Sequence, residues 1–363
     1  MARFISQSTR FKRSLLSAAC LSLWTLSTVH AQSPAAPTAT PANGSAPVAA
    51  TSTAAPPAAP GALRPMKDIL KDAKSLPGFF IMHQKDDKVW LEILPSQLGK
   101  PFFFSYNVPR SIGERGLYGS QMGGSKLVEF QKVGNQVQLI AKNTQFFAKE
   151  GTPQAQFVSE SFSDSLMSSA AVVSAPHPET KSILIEANAL LFSDIPGYQT
   201  RLEAAFRMPF GLDPRNTSFA SIKNTSNLTG LEVKAHFAVP KLSAPSMMSS
   251  PVPMPPPPSA TPDPRSMFVS FYYSMMPLPE PMATREADER VGFFTVARTD
   301  YTTDLNVKSK THLLKRWRLE KKDASVAVSE PKEPIVYWLD KNIPEKYREA
   351  VTQGILEWNK AFE

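Results

Sequence analysis

The stretch KLVEFQKVGNQVQLIAK, Lys126–Lys142, reads as two strands about the dipeptide Gly134-Asn135. Glycine tolerates the positive φ of primed two-residue turns, so Gly-Asn between alternating apolar residues signals a β-hairpin. Val128 and Phe130 then share one face of the first strand, with Val137 and Leu139 as candidate partners across the ladder. A lone hairpin is marginal in water, so this one requires further strands to share its apolar face.

The flanking sequence supplies them. Upstream, GFFIMH (Gly78–His83) and KVWLEIL (Lys88–Leu94) flank Asp86-Asp87, which suggests a second hairpin, and PFFFSYNV (Pro101–Val108) reads as another strand. Met66, Ile69, Leu70 and Ala73 recur at helical spacing and predict a short helix over Met66–Ser75. Downstream, a short helix is expected around Ser163–Val172, and SILIEA (Ser182–Ala187) is a strand. Leu231–Val239 and Met267–Met275 are rich in branched or aromatic residues and read as strands. Between them Pro240–Pro264 is dominated by Pro, Ser and Met, the composition of a solvated, partly polyproline insertion at a hairpin tip. An SH3-type ligand is the competing reading of that stretch.

The chain opens differently. Residues 1–31 carry Arg3, Arg10, Lys12 and Arg13 ahead of an uncharged stretch, Ser14–Val29, and close on Val29-His30-Ala31, the pattern of a cleaved signal peptide. A retained membrane anchor is the alternative, but the stretch is shorter than the roughly 20 apolar residues a span requires. Residues 32–62 are almost wholly Ala, Pro, Ser and Thr and read as a flexible tether. Cys20 is the only cysteine, so a processed chain would have no disulfide. The formal charge of +8 falls to +4 once the four basic residues of the leader are removed, too mild to argue for nucleic acid. The expectation is an exported protein, periplasmic or extracellular, with no membrane span after signal removal and no nucleic-acid partner.

The last segment has its own logic. THLLKRWRLEKK (Thr311–Lys322) is basic about Trp317 and reads as a solvated connector rather than an anionic-surface patch. EPIVYWLD (Glu333–Asp340) is a strand candidate, and Pro344 then opens a helix at a position where proline costs nothing. Tyr347, Val351, Ile355, Trp358 and Phe362 form one stripe of that helix, worth roughly 7–15 kcal/mol if buried. No capping signal follows, which reads as the first strand and helix of a further domain.

From Trp317 to Glu363 the sequence resembles the opening of the catalytic domain in a family of exported bacterial zinc-dependent metalloproteases. Asp288–Thr295 (DERVGFFT), with Leu278, Pro279 and Met282, and Gly119–Gly123 resemble the same family. The resemblance implies two uncharacterised N-terminal domains ahead of a metzincin-like catalytic domain. It implies zinc and a protein or peptide substrate for the whole enzyme, and a C-terminal catalytic domain as this region's partner. The Pro-rich stretch departs from the family pattern.

Zinc hydrolysis of that type requires two histidines at i and i+4 with a glutamate between them. His83, His177, His236 and His312 are each isolated in sequence. No catalytic, cofactor-binding or metal-binding residue is therefore assigned, and no cofactor is expected in this chain. Gly113, Gly116, Gly119, Gly123 and Gly124 lack the Lys-Ser/Thr ending of a phosphate loop, and Ser, His and Asp occur without a nucleophile-elbow motif.

The fold class expected is α+β. A small α+β subdomain spans 63–110 and a β-rich antiparallel domain spans 111–303, with the Pro-rich insertion at 240–264. A basic connector, 304–332, leads to the start of a truncated metzincin-like domain at 333–363. The function expected is that of the non-catalytic N-terminal region of an exported metalloprotease. The alternative is a stand-alone exported binding or prodomain-like module.

Overall fold

Each hairpin dipeptide forms its turn. In the computed structural model, which describes residues 63–242, 255–303, 305 and 309–362, Gly134 lies at φ 57° and Asp86 at φ 52°. The signal-peptide and tether readings lie outside the described residues, as do residues 243–254 of the Pro-rich stretch. The strands are β1 (Lys74–Leu76), β2 (Ile81–Lys85), β3 (Lys88–Ile93), β4 (Phe102–Arg110), β5 (Gln121–Val133) and β6 (Gln136–Ala141). Next come β7 (Phe146–Phe147), β8 (Ser165–Ala171), β9 (Ile183–Glu186), β10 (Gly211–Leu212) and β11 (Ser218–Thr225). The last four are β12 (Leu228–Ala238), β13 (Ser266–Met276), β14 (Thr295–Asp300) and β15 (Lys310–Leu314). Helices are α1 (Met66–Ile69), α2 (Pro153–Ser161), α3 (Ala187–Leu191), α4 (Tyr198–Phe206), α5 (Glu345–Leu356) and α6 (Asn359–Phe362).

The β-rich antiparallel expectation holds. A large sheet runs β10-β12-β13-β4-β5-β6-β8, with β11 also paired to β12, and a smaller sheet runs β1-β2-β3-β9. Every pair in both is antiparallel. The inner residues of both sheets form one core. Met82, Leu91 and Ile93 of the small sheet join Phe102, Phe104, Phe130, Leu139 and Phe271 of the large one. Phe80, Phe102 and Phe130 meet at ring separations of 5.1–5.3 Å, edge-on or tilted, the arrangement aromatic quadrupoles favour. Tyr198, Leu202 and Phe206 of α4 join the same core, Tyr198 lying 5.2 Å from Phe271 and 5.8 Å from Phe237. On its other face the small sheet buries Trp90 and Leu184 with Met66 of α1.

Residues 63–110 are thus built into the sheet rather than set beside it. β4 lies between β13 and β5, so the strand at the middle of the large sheet comes from the first fifty described residues.

Three local expectations are corrected. The helix expected over Met66–Ser75 stops at Ile69; Asp72 turns the backbone left-handed at φ 63°, and Lys74–Leu76 then pairs with β2. The helix expected around Ser163–Val172 is the strand β8, because the outer edge of β6 offers backbone partners from Gln136↔Ala171 to Ala141↔Ser165. The helix of this region lies earlier, where Thr152 caps α2 by accepting from the Ala155 N–H and Pro153 follows it. Glu333–Asp340 is no strand; among the described residues none supplies it a ladder, and Val336, Tyr337 and Trp338 stay exposed.

The expected C-terminal helix forms as α5, with no buried residue. A third small sheet, β15-β14-β7, is joined to α2 by stacked rings: Phe146 lies 3.9 Å from Phe162, which lies 5.7 Å from Tyr301.

Candidate functional site

The four isolated histidines fare differently. His177 sits in a turn, its Nδ1 accepting from the Thr180 N–H at 3.3 Å. His312 lies on β15 opposite Ala297. His83 on β2 faces Glu92 on β3, Nε2 to Oε2 2.9 Å, and Ser182 donates to the other carboxylate oxygen at 2.5 Å. The carboxylate is the centre of that group, so serine and histidine are both spent on it.

His236 has the opposite order. It stands on the outer face of β12, between inward-facing Ala235 and Phe237. Its Nδ1 lies 3.0 Å from Asp213 Oδ2 and its Nε2 2.9 Å from Ser266 Oγ. Asp213 follows β10, which pairs with β12, and Ser266 opens β13 two residues from Phe268, the residue opposite His236. Three separate segments thus meet because β10 and β13 pair with β12 on its two sides.

The surroundings hold the group still. Asp213 accepts from the Arg215 N–H at 3.1 Å and from Asn216 Nδ2 at 2.6 Å. Its carboxyl is held below the usual range, first by Asn216 and then by His236. The His236 backbone N–H donates to Thr217 Oγ1 at 3.1 Å, and Thr217 Oγ1 donates to the Asp213 carbonyl at 2.8 Å. The Phe268 ring lies 4.9 Å from the imidazole, with Lys234 Nζ 4.3 Å over that ring. Next to this turn, a cleft of about 340 Å³ is lined by Asp86, Asp87, Asn188, Arg215, Asn216 and Thr217, among others.

No local motif in the sequence marks these three residues. Asp213, His236 and Ser266 are 23 and 30 residues apart in sequence, so only strand pairing could have joined them.

The other marked features are structural. Gly123 lets β5 cross Tyr106 closely; a Cβ there would lie 2.2 Å from the Tyr106 carbonyl oxygen. Asp86-Asp87 is a turn, and Asn188 Nδ2 donates to the Asp87 carbonyl. In the connector, Arg316 and Arg318 donate to the Ala283 and Glu280 carbonyls, tying it to the stretch before β14. The described end of the Pro-rich stretch is also anchored, with the Ser259 and Ala260 N–H groups donating to Glu114 Oε1 at 2.9 and 3.1 Å. Among the described residues no three His, Cys, Asp or Glu side chains stand together as a metal site, and no helix is long and apolar enough to cross a membrane. The donor set in hand does not fit the zinc that the resemblance implies for a whole enzyme.

Residues 63–110 match a family described as a domain of unknown function, DUF5118, and residues 120–322 match another described as a domain of unknown function, DUF5117. No curated protein and no solved structure gives a match. The two matched segments agree with the expectation of two uncharacterised domains. With the second spanning more than half of its length, the chain belongs to the DUF5117 family.

Proposed function

We propose that this chain is the N-terminal region, outside the zinc-binding proteolytic domain, of an exported zinc-dependent metalloprotease, and that its β core presents a long apolar segment to that domain. One observation carries the reading. From Met276 to Ala361 none of the described residues is buried, although the segment holds Phe294, Trp317, Tyr337, Trp338, Tyr347, Val351 and Trp358, all exposed. So many large exposed apolar side chains along one segment are what an interaction surface presents.

The upstream core needs none of these side chains, since its own sheets close over one another. The segment is therefore built for a different body. From Trp317 onward its sequence resembles the opening of a metzincin-like domain, whose remaining elements would cover the α5 stripe. The zinc, the general base and the bound water would all come from that domain, and export from the leader at residues 1–31.

The test is a chain extended through the reading frame beyond Glu363. It is expected to carry an HExxH helix, to bind about one zinc and to cleave peptide bonds until chelated, whereas residues 63–363 alone do not. An extended protein with neither the motif nor bound zinc would overturn the reading.

A further inference from the structure

We propose that Ser266, His236 and Asp213 form a nucleophilic relay that accepts acyl groups from small carboxylic esters on the outer face of the large sheet. The order of the three groups sets their roles. An ionised carboxylate can only accept, so the His236 Nδ1 that faces Asp213 at 3.0 Å carries the proton. That tautomer leaves the lone pair on Nε2, 2.9 Å from Ser266 Oγ, and the hydroxyl donates to it. Nucleophile, base and orienting carboxylate are then in the relation that serine hydrolases of unrelated folds share, recognised by geometry rather than by chain order.

Two features separate this group from a mere turn lock. The carboxylate is held at both oxygens, Oδ1 by the Arg215 N–H and Oδ2, the oxygen that faces the ring, by Asn216 Nδ2, which keeps it aimed at Nδ1. The imidazole is largely covered, its side chain 12% exposed, but Ser266 is partly exposed and Phe268 beside it is 46% exposed. Phe268 offers a flat apolar shelf to an acyl or aryl group, and Lys234 brings positive charge to the same face.

The chemistry balances without a metal or redox partner. Ser266 Oγ bonds to the ester carbonyl carbon as its proton passes to His236 Nε2. The bond from that carbon to the alcohol oxygen breaks, and the alcohol leaves with the proton. Water then attacks the acyl-serine, gives one proton to Nε2, and the proton returns to Ser266 as the carboxylic acid departs.

The experiment treats the full chain with a fluorophosphonate, with a chelator present so that no zinc enzyme contributes. Labelled peptides are located by mass spectrometry. Phosphonylation of Ser266 with loss of fluoride is expected, together with 4-nitrophenyl acetate hydrolysis. H236A should slow both by about 100-fold or more. D213N, which keeps the shape of the side chain but inverts the tautomer, should act in the same direction and serves if H236A unfolds. Labelling of Ser266 no faster in the native chain than in the urea-unfolded chain overturns the proposal.

Discussion

Removing Pro344–Glu363 should leave the β core standing. α5 has no buried residue, and the guanidinium of its Arg348 reaches only Glu345 within the helix and the Ile343 and Lys341 carbonyls just upstream. Nothing in the folded core is lost with it, so the change in unfolding free energy should stay within about 0.5 kcal/mol. If Tyr347, Val351, Ile355 and Trp358 were instead buried against the core in solution, each would contribute about 1.5–3 kcal/mol, and their sum would approach the whole stability of a domain. The two cases separate in a melting curve, where 1 kcal/mol moves the midpoint by about 2–4 °C for a domain of this size. Circular dichroism of the deleted chain should give a midpoint within about 2 °C of the parent. Size exclusion should show less self-association, because the stripe that two copies could share is gone. A fall of 10 °C or more would mean that the helix docks on the β core, and the reading of the segment as a surface for another domain would fail.

Three further outcomes probe the core and its periphery. Thr229 is fully buried, accepts from the Phe80 N–H at 3.0 Å and donates to Asn224 at 2.7 Å, so Thr229→Val strands both and should cost about 1–3 kcal/mol in urea unfolding; an unchanged midpoint would show that water replaces the hydroxyl. Gly123→Ala should cost about 1–3 kcal/mol because the new Cβ meets the Tyr106 carbonyl at 2.2 Å. Gly124→Ala, whose Cβ would make an ordinary 3.7 Å contact, should be near neutral, and equal effects would remove the steric explanation. Burial works against the Asp164 carboxylate, but the Lys142 ammonium and the Asn143 N–H outweigh it and hold its pKa low. Its stabilisation is full above the ordinary carboxylate range and lost as pH falls through the lower folded value. The melting difference between the parent and Asp164→Asn should be flat from pH 5 to 8 and shrink below about pH 4; a difference that vanished by pH 6 would contradict the pairing.

What the sequence made legible was what local chemistry governs. Gly134-Asn135 and Asp86-Asp87 place their own left-handed residues at the turns, and the alternation of Val128, Phe130, Val137 and Leu139 named the inner face of β5 and β6. The misreadings came where the partner decided. Ser165–Ala171 carries a weak pattern of small residues, and the edge of β6 settles it as strand. Val336, Tyr337 and Trp338 have high strand propensity and no partner among the described residues. The Asp213–His236–Ser266 group was invisible for the same reason. Its members are ordinary residues on three segments, and only the register β10-β12-β13 brings their polar atoms within 3.0 Å.

The position of β4 also bears on how the chain can be made. A ribosome delivers Phe102–Arg110 more than 150 residues before Ser266–Met276, its neighbour on one side, while β5 on the other side follows at once. The half-sheet β4-β5-β6 can assemble early and locally, but its β4 edge stays open until the rest of the domain has been synthesised. Closing so long a loop slows folding more than it weakens the final state. Two sequence families meet in this chain, yet a fragment starting at residue 120 would present two raw sheet edges, those of β13 and β5, in place of one filled slot. The boundary between DUF5118 and DUF5117 therefore falls within one hydrogen-bonded sheet, and a cut there would open that sheet on both sides of β4.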